Sequence, residues 1–532
     1  MYSLSEKVWW FSLLSRLFVL TLSALANVLL PNHEPGVFLS PKDPLDTRKS
    51  VADDVVEVLF GGLLRWDAQY FLHIAKYGYT YENCLAFFPL YPLLVRYFAL
   101  LLHHALYSVL SYHSVVTISA VIINLVAFVQ SAVVLFRLGL CVLKDEAYSY
   151  KAAILYCVNP ASIFFSAPYS ESLFALLTFY GMLKCVKTKG GEELSLQCGL
   201  LFGLSAVCRS NGLLNVGFIV YEKLVIFIQF ISLKFVHNYI IIKNSSILML
   251  PLLMFPFIVS LISFILTTLL SLIPFIGFQM YGYDKFCSVH RHNLPQFITA
   301  YAKANRFKLP GVKRRNSLRH WCASSIPLAY SYVQQHYWDV GFLRYYHWKQ
   351  IPNFLLAFPM AVIILYYSVK YLNENRQHFL CSLMSVTRHK KDEEKEKVST
   401  KSKFCAAMFV FIVHALFVTC FCILCIHVQV TTRLVASASP ILYWFTSSVF
   451  PSCGGSAPSD RLAAHLSCNT KSRSSKQFRP EVVETTANLN SWWKVFILSR
   501  SSLPIMARVV RVYFFFYLVT GTVLFSNFYP WT

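Results

Sequence analysis

Residues 8–30 read VWWFSLLSRLFVLTLSALANVLL. At 1.5 Å per helical residue this run is long enough to cross the ~30 Å hydrocarbon core of a bilayer. No convincing cleavage site follows it, so it reads as a retained anchor rather than a removable leader. The rest of the chain has the same character. Of 532 residues, 56% are hydrophobic and only 14% charged, and the mean hydropathy is +0.51. A soluble protein of this length needs far more polar surface, so the fold class is an α-helical polytopic membrane protein.

Further apolar runs lie near 115–142, 150–166, 171–187, 197–213, 213–233, 247–278, 351–373, 404–427, 434–450 and 510–528. Those between 150 and 233 are short or fused, which predicts about 8–11 transmembrane helices in a single membrane domain over 1–532. The formal charge of +23 does not point to nucleic acid. Basic residues of membrane proteins gather in cytoplasmic loops and at headgroups, and no basic stripe of a nucleic-acid module accompanies the charge. The 15 cysteines show no framework of spacings. The tight group CFCILC (420–425) sits inside an apolar run with no polar ligands near it and reads as small helix residues, so no metal site is expected.

Three connections are long. Segment 31–114 holds 8 of the 25 acidic residues, 281–350 carries 11 Lys/Arg against 2 acids, and 451–503 is Ser-, Thr- and Arg-rich, a flexible basic linker. The charged segment 374–403, ending RHKKDEEKEKVSTKSK, and KCVKTKGG (184–191) are basic as well. With 184–191, 374–403 and 451–503 in the cytosol, 31–114, 281–350, HVQVTTR (427–433) and the terminal NFYPWT fall on the opposite, lumenal side. The basic 281–350 loop fits that rule poorly. The sequon Asn244-Ser245-Ser246 falls on the cytosolic side and is predicted unused.

Four polar islands share the lumenal side: RWDAQYFLHIAKYGY (65–79), NPASIFFSAPYSES (159–172), CRSNG (208–212) and HVQVTTR. A fifth, SYVQQHYWDVGFLRYYHWKQIPN (331–353), closes the long basic loop. Charges at membrane depth are costly and are usually paired, snorkelling or functional, so these islands predict a polar cavity opening at a membrane surface. In it Asp67 accepts a proton, while Arg65, His73, Arg209, His427 and Arg433 hold an anion. One carboxylate opposed by cations suits inverting transfer from a phosphate leaving group to a hydroxyl, since phosphate departs without a general acid. Structural alternatives stand beside this. Asp67 pairs with Arg65 or caps a helix; Trp66, Tyr70 and Tyr77 are interfacial aromatics; Glu171 caps a helix near Ser170; Asn159-Pro160 marks a helix end; Arg209 only snorkels.

Together RWDAQYFLHIAKYGY…FFPLYPLL, NPASIFFSAPYSESLFALLTF, CRSNGLL, HYWDVGFLRYYHWKQIPNFLLAFP, HVQVTTRLVASASPILYWF and NFYPWT resemble, in order, the phosphatidylinositol-glycan class V mannosyltransferases. The match runs from about residue 8 to the C-terminus, leaving 31–45 and 451–503 unplaced. The resemblance implies a GT-C glycosyltransferase fold in the endoplasmic reticulum membrane with a lumenal active site. It implies transfer of the second, α-1,6-linked mannose from dolichyl-phosphate-mannose to the mannosyl-glucosaminyl-phosphatidylinositol precursor of GPI anchors, without metal or other cofactor. An accessory membrane subunit stays open.

Under that resemblance Asp67 is the general base and Glu171 its alternative. Arg65, Arg209, Arg433 and His427 are candidates for the donor phosphate. Trp66, Tyr169 and Trp338 would stack on sugars, and His73, Gln334, His336 and Asp339 would bind the acceptor. Two other readings remain: a dolichyl-phosphate-mannose enzyme with a different acceptor, and a lipid transporter or flippase with a charged cavity.

Overall fold

The computed structural model describes residues 2–34, 36–44, 50–187, 196–225, 250–288, 293–311, 320–384, 394–450 and 503–531. Among these all regular structure is helical. In chain order the helices are α1 (Leu4–Leu29), α2 (Val51–Phe60), α3 (Ala68–Tyr77), α4 (Leu90–Leu106), α5 (Tyr112–Leu143), α6 (Glu146–Cys157), α7 (Glu171–Lys187), α8 (Leu196–Cys208), α9 (Leu250–Cys287), α10 (Gln296–Asn305), α11 (Ala329–Trp338), α12 (Ile351–Met384), α13 (Glu394–Cys425), α14 (Thr431–Ala438), α15 (Ile441–Ser448) and α16 (Ile505–Ser526). Several starts are written into the sequence. Ser3 and Glu6 form a capping box on α1, Ser50 and Asp53 one on α2, and Asp145 caps α6 through the Tyr148 N–H at 2.8 Å, each satisfying orphan N–H groups of the first turn.

Six described helices are long and apolar enough to cross a membrane: Leu4–Leu29, Tyr112–Leu143, Ile258–Cys287, Trp348–Glu374, Met408–Cys425 and Ile505–Ser526. The polytopic helical expectation is met, with a difference in how the runs are used. Run 150–166 breaks after Cys157, where Asn159-Pro160 cannot continue a helix. Run 197–213 breaks at Arg209, and 434–450 breaks at Ser439-Pro440. Irregular backbone is tolerated at membrane depth only inside protein, and residues 151–175 are all buried. Within 31–114, expected as a loop, α4 is itself a 17-residue apolar helix. Segment 374–403 is helical to Met384 and again from Glu394. Run 213–233 beyond residue 225, the Asn244 sequon and nearly all of linker 451–503 lie outside the described residues.

α8 is pressed onto α9 through Gly199 and Gly203. A Cβ at Gly199 would meet the Thr267 backbone and side chain, and one at Gly203 the Leu270 carbonyl. Such small-x-x-x-small contacts let membrane helices approach closely, and here they fix the turn at Arg209 that follows α8.

The two long polar segments pack on each other. Tyr81 Oη donates to the Ile298 carbonyl (3.2 Å), and the Glu82 N–H to that of Lys308 (3.0 Å). The buried Glu82 carboxylate accepts from Trp321 Nε1 (3.1 Å) and Tyr337 Oη (2.9 Å). The described parts of basic segment 281–350 therefore pack directly on those of 31–114. The cysteine reading is corrected in part. Cys287 pairs with Cys322, and Cys185 with Cys198 at the facing ends of α7 and α8. Pairings formed across folded segments leave no signature in spacing. Cys420, Cys422 and Cys425 stay free on α13.

Candidate active site

The chain reaches the site through a strained turn. Trp66 adopts φ +55°, a left-handed conformation that costs an L-residue roughly 1–2 kcal/mol, and Asp67 then opens α3. The Asp67 side chain makes no cap bond, and its partner is not Arg65. Its Oδ2 lies 2.9 Å from Arg433 Nη1, and its backbone N–H donates to Tyr169 Oη (3.0 Å). Neither structural alternative for Asp67 is what the fold uses.

Glu171 begins α7 and is fully buried, and Oε1 lies 2.5 Å from Arg209 Nη1 and 3.7 Å from Arg433 Nη1. Four charges from four islands thus form one chain: Asp67, Arg433, Glu171, Arg209. Arg433 is boxed by the Phe164 and Tyr169 rings at 5.3 and 5.6 Å, within cation–π range. Arg209 Nη1 also reaches Ser170 Oγ (3.3 Å). The Nε atoms of both arginines are buried without a hydrogen-bond partner. Exposure separates the carboxylates: the Asp67 side chain is 30% accessible and that of Glu171 0%. Of the two carboxylates, only that of Asp67 is open to solvent.

Beside this chain, the Trp338 ring meets Tyr70 (6.1 Å) and Phe87 (6.0 Å), one turn of α3 beyond Asp67. His427 stacks on Tyr345 at 4.6 Å. Burial lowers its pKa, opposed by the Trp338 carbonyl and Asp339. The half-buried Gln334 accepts backbone bonds at the end of α11, from Asp339 and Val340, through its carbonyl.

Other expected residues are used elsewhere. Arg65 does not join the Asp67–Arg433–Glu171–Arg209 chain. Nε donates to the Ser526 carbonyl (3.1 Å) and Nη2 to Asn27 Oδ1 (2.8 Å) and Asn32 Oδ1 (3.2 Å), and the guanidinium covers Phe528 at 4.6 Å. It ties α1 to the end of α16. His73 is fully buried between Ser40 Oγ (2.9 Å) and Thr80 Oγ1 (2.6 Å) and stacks on Tyr81. Burial drives its pKa down to about 3, with Lys76 adding to the effect. It is a packing residue, closed to an acceptor. Asp339 caps α11 at φ +51° and pairs with Arg344 (3.0 Å) in the open, and His336 is exposed and stacked on Tyr332. The Trp66 ring leans on Phe528 (6.1 Å), with Nε1 unpartnered. Sequence reasoning missed Tyr330, whose Oη accepts from Ser210 Oγ (2.8 Å) beside Arg209, because nothing local marks it. It also missed Asn124 of α5, which bonds the Tyr169 carbonyl (3.0 Å). A lone amide within an apolar span was the available signal. Among the described residues no group of three His, Cys, Asp or Glu side chains is placed to hold a metal ion.

Fold and site define a multi-pass membrane protein with an arginine–carboxylate chain sunk at the base of two co-packed polar segments. The chain belongs to the mannosyltransferase (PIG-V) family, whose model matches residues 5–532, and it is accordingly a glycosyltransferase. Similar proteins include GPI mannosyltransferase 2 of Drosophila melanogaster, 34% identical over 99% of this chain and 100% of that protein. The GPI alpha-1,6-mannosyltransferases 2 of Mus musculus and Homo sapiens are 34% and 33% identical, each over 98% of this chain and 97% of theirs. A structure of the archaeal oligosaccharyltransferase AglB from Archaeoglobus fulgidus, in complex with an inhibitory peptide and a dolichol-phosphate, aligns with TM-score 0.37 and 11% identity. That alignment covers 97% of this chain and 56% of AglB.

Proposed function

We propose that this mannosyltransferase acts in GPI-anchor biosynthesis, adding the second, α-1,6-linked mannose to the mannosyl-glucosaminyl-phosphatidylinositol intermediate. The donor is dolichyl-phosphate-mannose, and the site opens to the lumen of the endoplasmic reticulum within a GT-C type fold. The names of its relatives support the reaction, and the Asp67–Arg433–Glu171–Arg209 chain is the observation that carries the mechanism.

Asp67, the accessible carboxylate, takes the proton of the acceptor 6-hydroxyl. The hydroxyl oxygen forms its bond to mannose C1 as the bond from C1 to the phosphate oxygen breaks, with inversion. The dolichyl phosphate departs carrying the electron pair, its charge going from −1 to −2. Protonation of Asp67 removes one negative charge from a set of two carboxylates and two arginines, moving it from neutral to net positive as the phosphate gains its charge. Electrostatic stabilisation aimed at charge that grows in the transition state is the contribution that accelerates the step. Glu171, closed off and shared by both arginines, holds them and is not the base.

Microsomes from cells lacking the second GPI mannosyltransferase test the reading. With this protein inserted and dolichyl-phosphate-mannose supplied, the one-mannose precursor becomes the two-mannose species. Correctly inserted protein that leaves the one-mannose precursor unchanged would refute it.

A further inference from the structure

Arg16 stands near the middle of α1, ~18–20 Å from either end, where an ionised side chain is expensive unless the fold needs it. It is 1% exposed, and every contact the structure gives it is to a carbonyl, a hydroxyl or a ring. Nη1 donates to the Ser162 carbonyl (2.7 Å) and reaches Ser166 Oγ (3.3 Å). Nη2 donates to the Cys157 carbonyl (2.9 Å) and reaches Ser162 Oγ (3.1 Å), and Nε reaches Ser15 Oγ (3.4 Å). The guanidinium lies over Phe128 at 3.9 Å.

All four Nη contacts fall on one stretch, 157–166, the broken connection between α6 and α7. Cys157 is the last residue of α6, so the cation also sits at the negative end of that helix dipole. Backbone of this kind is stable in a membrane protein only if every carbonyl finds a donor, and a planar group with five N–H donors meets that need where Ser or Gln would not. Phe164, which covers Arg433, lies inside the stretch. Tyr169, which holds the Asp67 backbone, and Glu171, which holds both site arginines, follow within five residues of its end.

We propose that Arg16 is a positioning residue for glycosyl transfer: from α1 it locks the 157–166 turn and so sets where Tyr169, Glu171 and the two arginines stand. The proposal rests on the mannosyl-transfer reading above. A displaced arginine pair loses stabilisation of charge that grows only in the transition state, so the loss falls on kcat more than on KM.

The test uses the full chain in the same deficient microsomes, with folded protein quantified by fluorescence-detected size exclusion. Probes are dolichyl-phosphate-mannose and the one-mannose acceptor. Arg16→Gln is expected to lower kcat per folded molecule by about tenfold or more, with donor KM within about twofold, since sub-ångström misplacement is enough for such losses. Arg16→Lys restores part of the rate, and Ser162→Ala gives a smaller loss of the same kind. Wild-type turnover per folded Arg16→Gln molecule, whatever the yield, overturns the proposal. Where Arg16→Gln gives no folded protein, wild-type turnover in both Arg16→Lys and Ser162→Ala overturns it. Asp67→Asn in the same membranes separates the two ideas: transfer retained there contradicts the base assignment, while the Arg16 series still reports on positioning.

Discussion

Arg433 Nη1 stands 2.9 Å from Asp67 Oδ2 across 366 positions of sequence, and the same nitrogen lies 3.7 Å from Glu171 Oε1. One guanidinium therefore joins the accessible carboxylate to the enclosed one. An anion entering beside Arg433 would draw its charge away from Asp67, coupling donor binding to the freeing of the base.

Glu171→Gln leaves Arg209 without its carboxylate and Arg433 with one. Removing one partner of a buried pair costs roughly 3–5 kcal/mol, so the expected result is a large fall in folded protein with measurable turnover in what remains. Size exclusion and a mannosyl-transfer assay on the same sample check it. Normal folding with turnover abolished would make Glu171 the base.

Trp66 offers a separation of backbone from side chain. At φ +55° a glycine is relaxed and an alanine is not, so Trp66→Gly is expected to be about 1 kcal/mol more stable than Trp66→Ala. Both lose the contact with Phe528. Thermal unfolding of the two variants side by side reads the difference. Equal stability would mean the turn relaxes once the ring is gone.

His73 sets a pH dependence. Burial, with Lys76 adding to it, holds its folded-state pKa at about 3, against 6.5 for the free side chain. The unfolded chain therefore binds the proton first as pH falls. The stabilisation is complete above about 6.5 and is lost progressively toward 3, by about 2 kcal/mol at pH 5. Melting temperatures at pH 7 and pH 5 should fall more for wild type than for His73→Asn. Equal slopes would place the acid sensitivity elsewhere.

Arg65→Gln separates clamp from phosphate ligand. Its bonds to Asn27, Asn32 and the Ser526 carbonyl predict lowered thermal stability with donor KM unchanged. A raised donor KM at unchanged stability would return Arg65 to the anion site.

Much of this was legible because hydropathy and polar islands are local properties: a 23-residue apolar run, an Asn-Pro break and an Arg-Trp-Asp triplet are each visible in one window. Partner choice was not. Arg65 lies two positions from Asp67, but the left-handed Trp66 separates them. The guanidinium goes to the end of α16, and the carboxylate goes to Arg433. His73 looked like a ligand because a histidine near a charged triplet is ambiguous in sequence. Its aromatic and hydroxyl cage comes from residues 38–40 and 80–81, and only folding assembles it. Among the described residues, runs 150–166 and 434–450 break at proline yet stay largely buried, because composition does not distinguish a lipid-crossing helix from a broken one sheltered by protein.

Single-turnover mannosyl transfer by folded Asp67→Asn, against wild type and with dolichyl-phosphate-mannose saturating, bears most directly on the base assignment. The swap keeps size and a hydrogen-bonding oxygen for Arg433 while removing the proton acceptor. A general base contributes about 10²–10⁴-fold, so the transfer rate should fall by at least that range with donor binding retained. Transfer within tenfold of wild type would contradict Asp67 as the base.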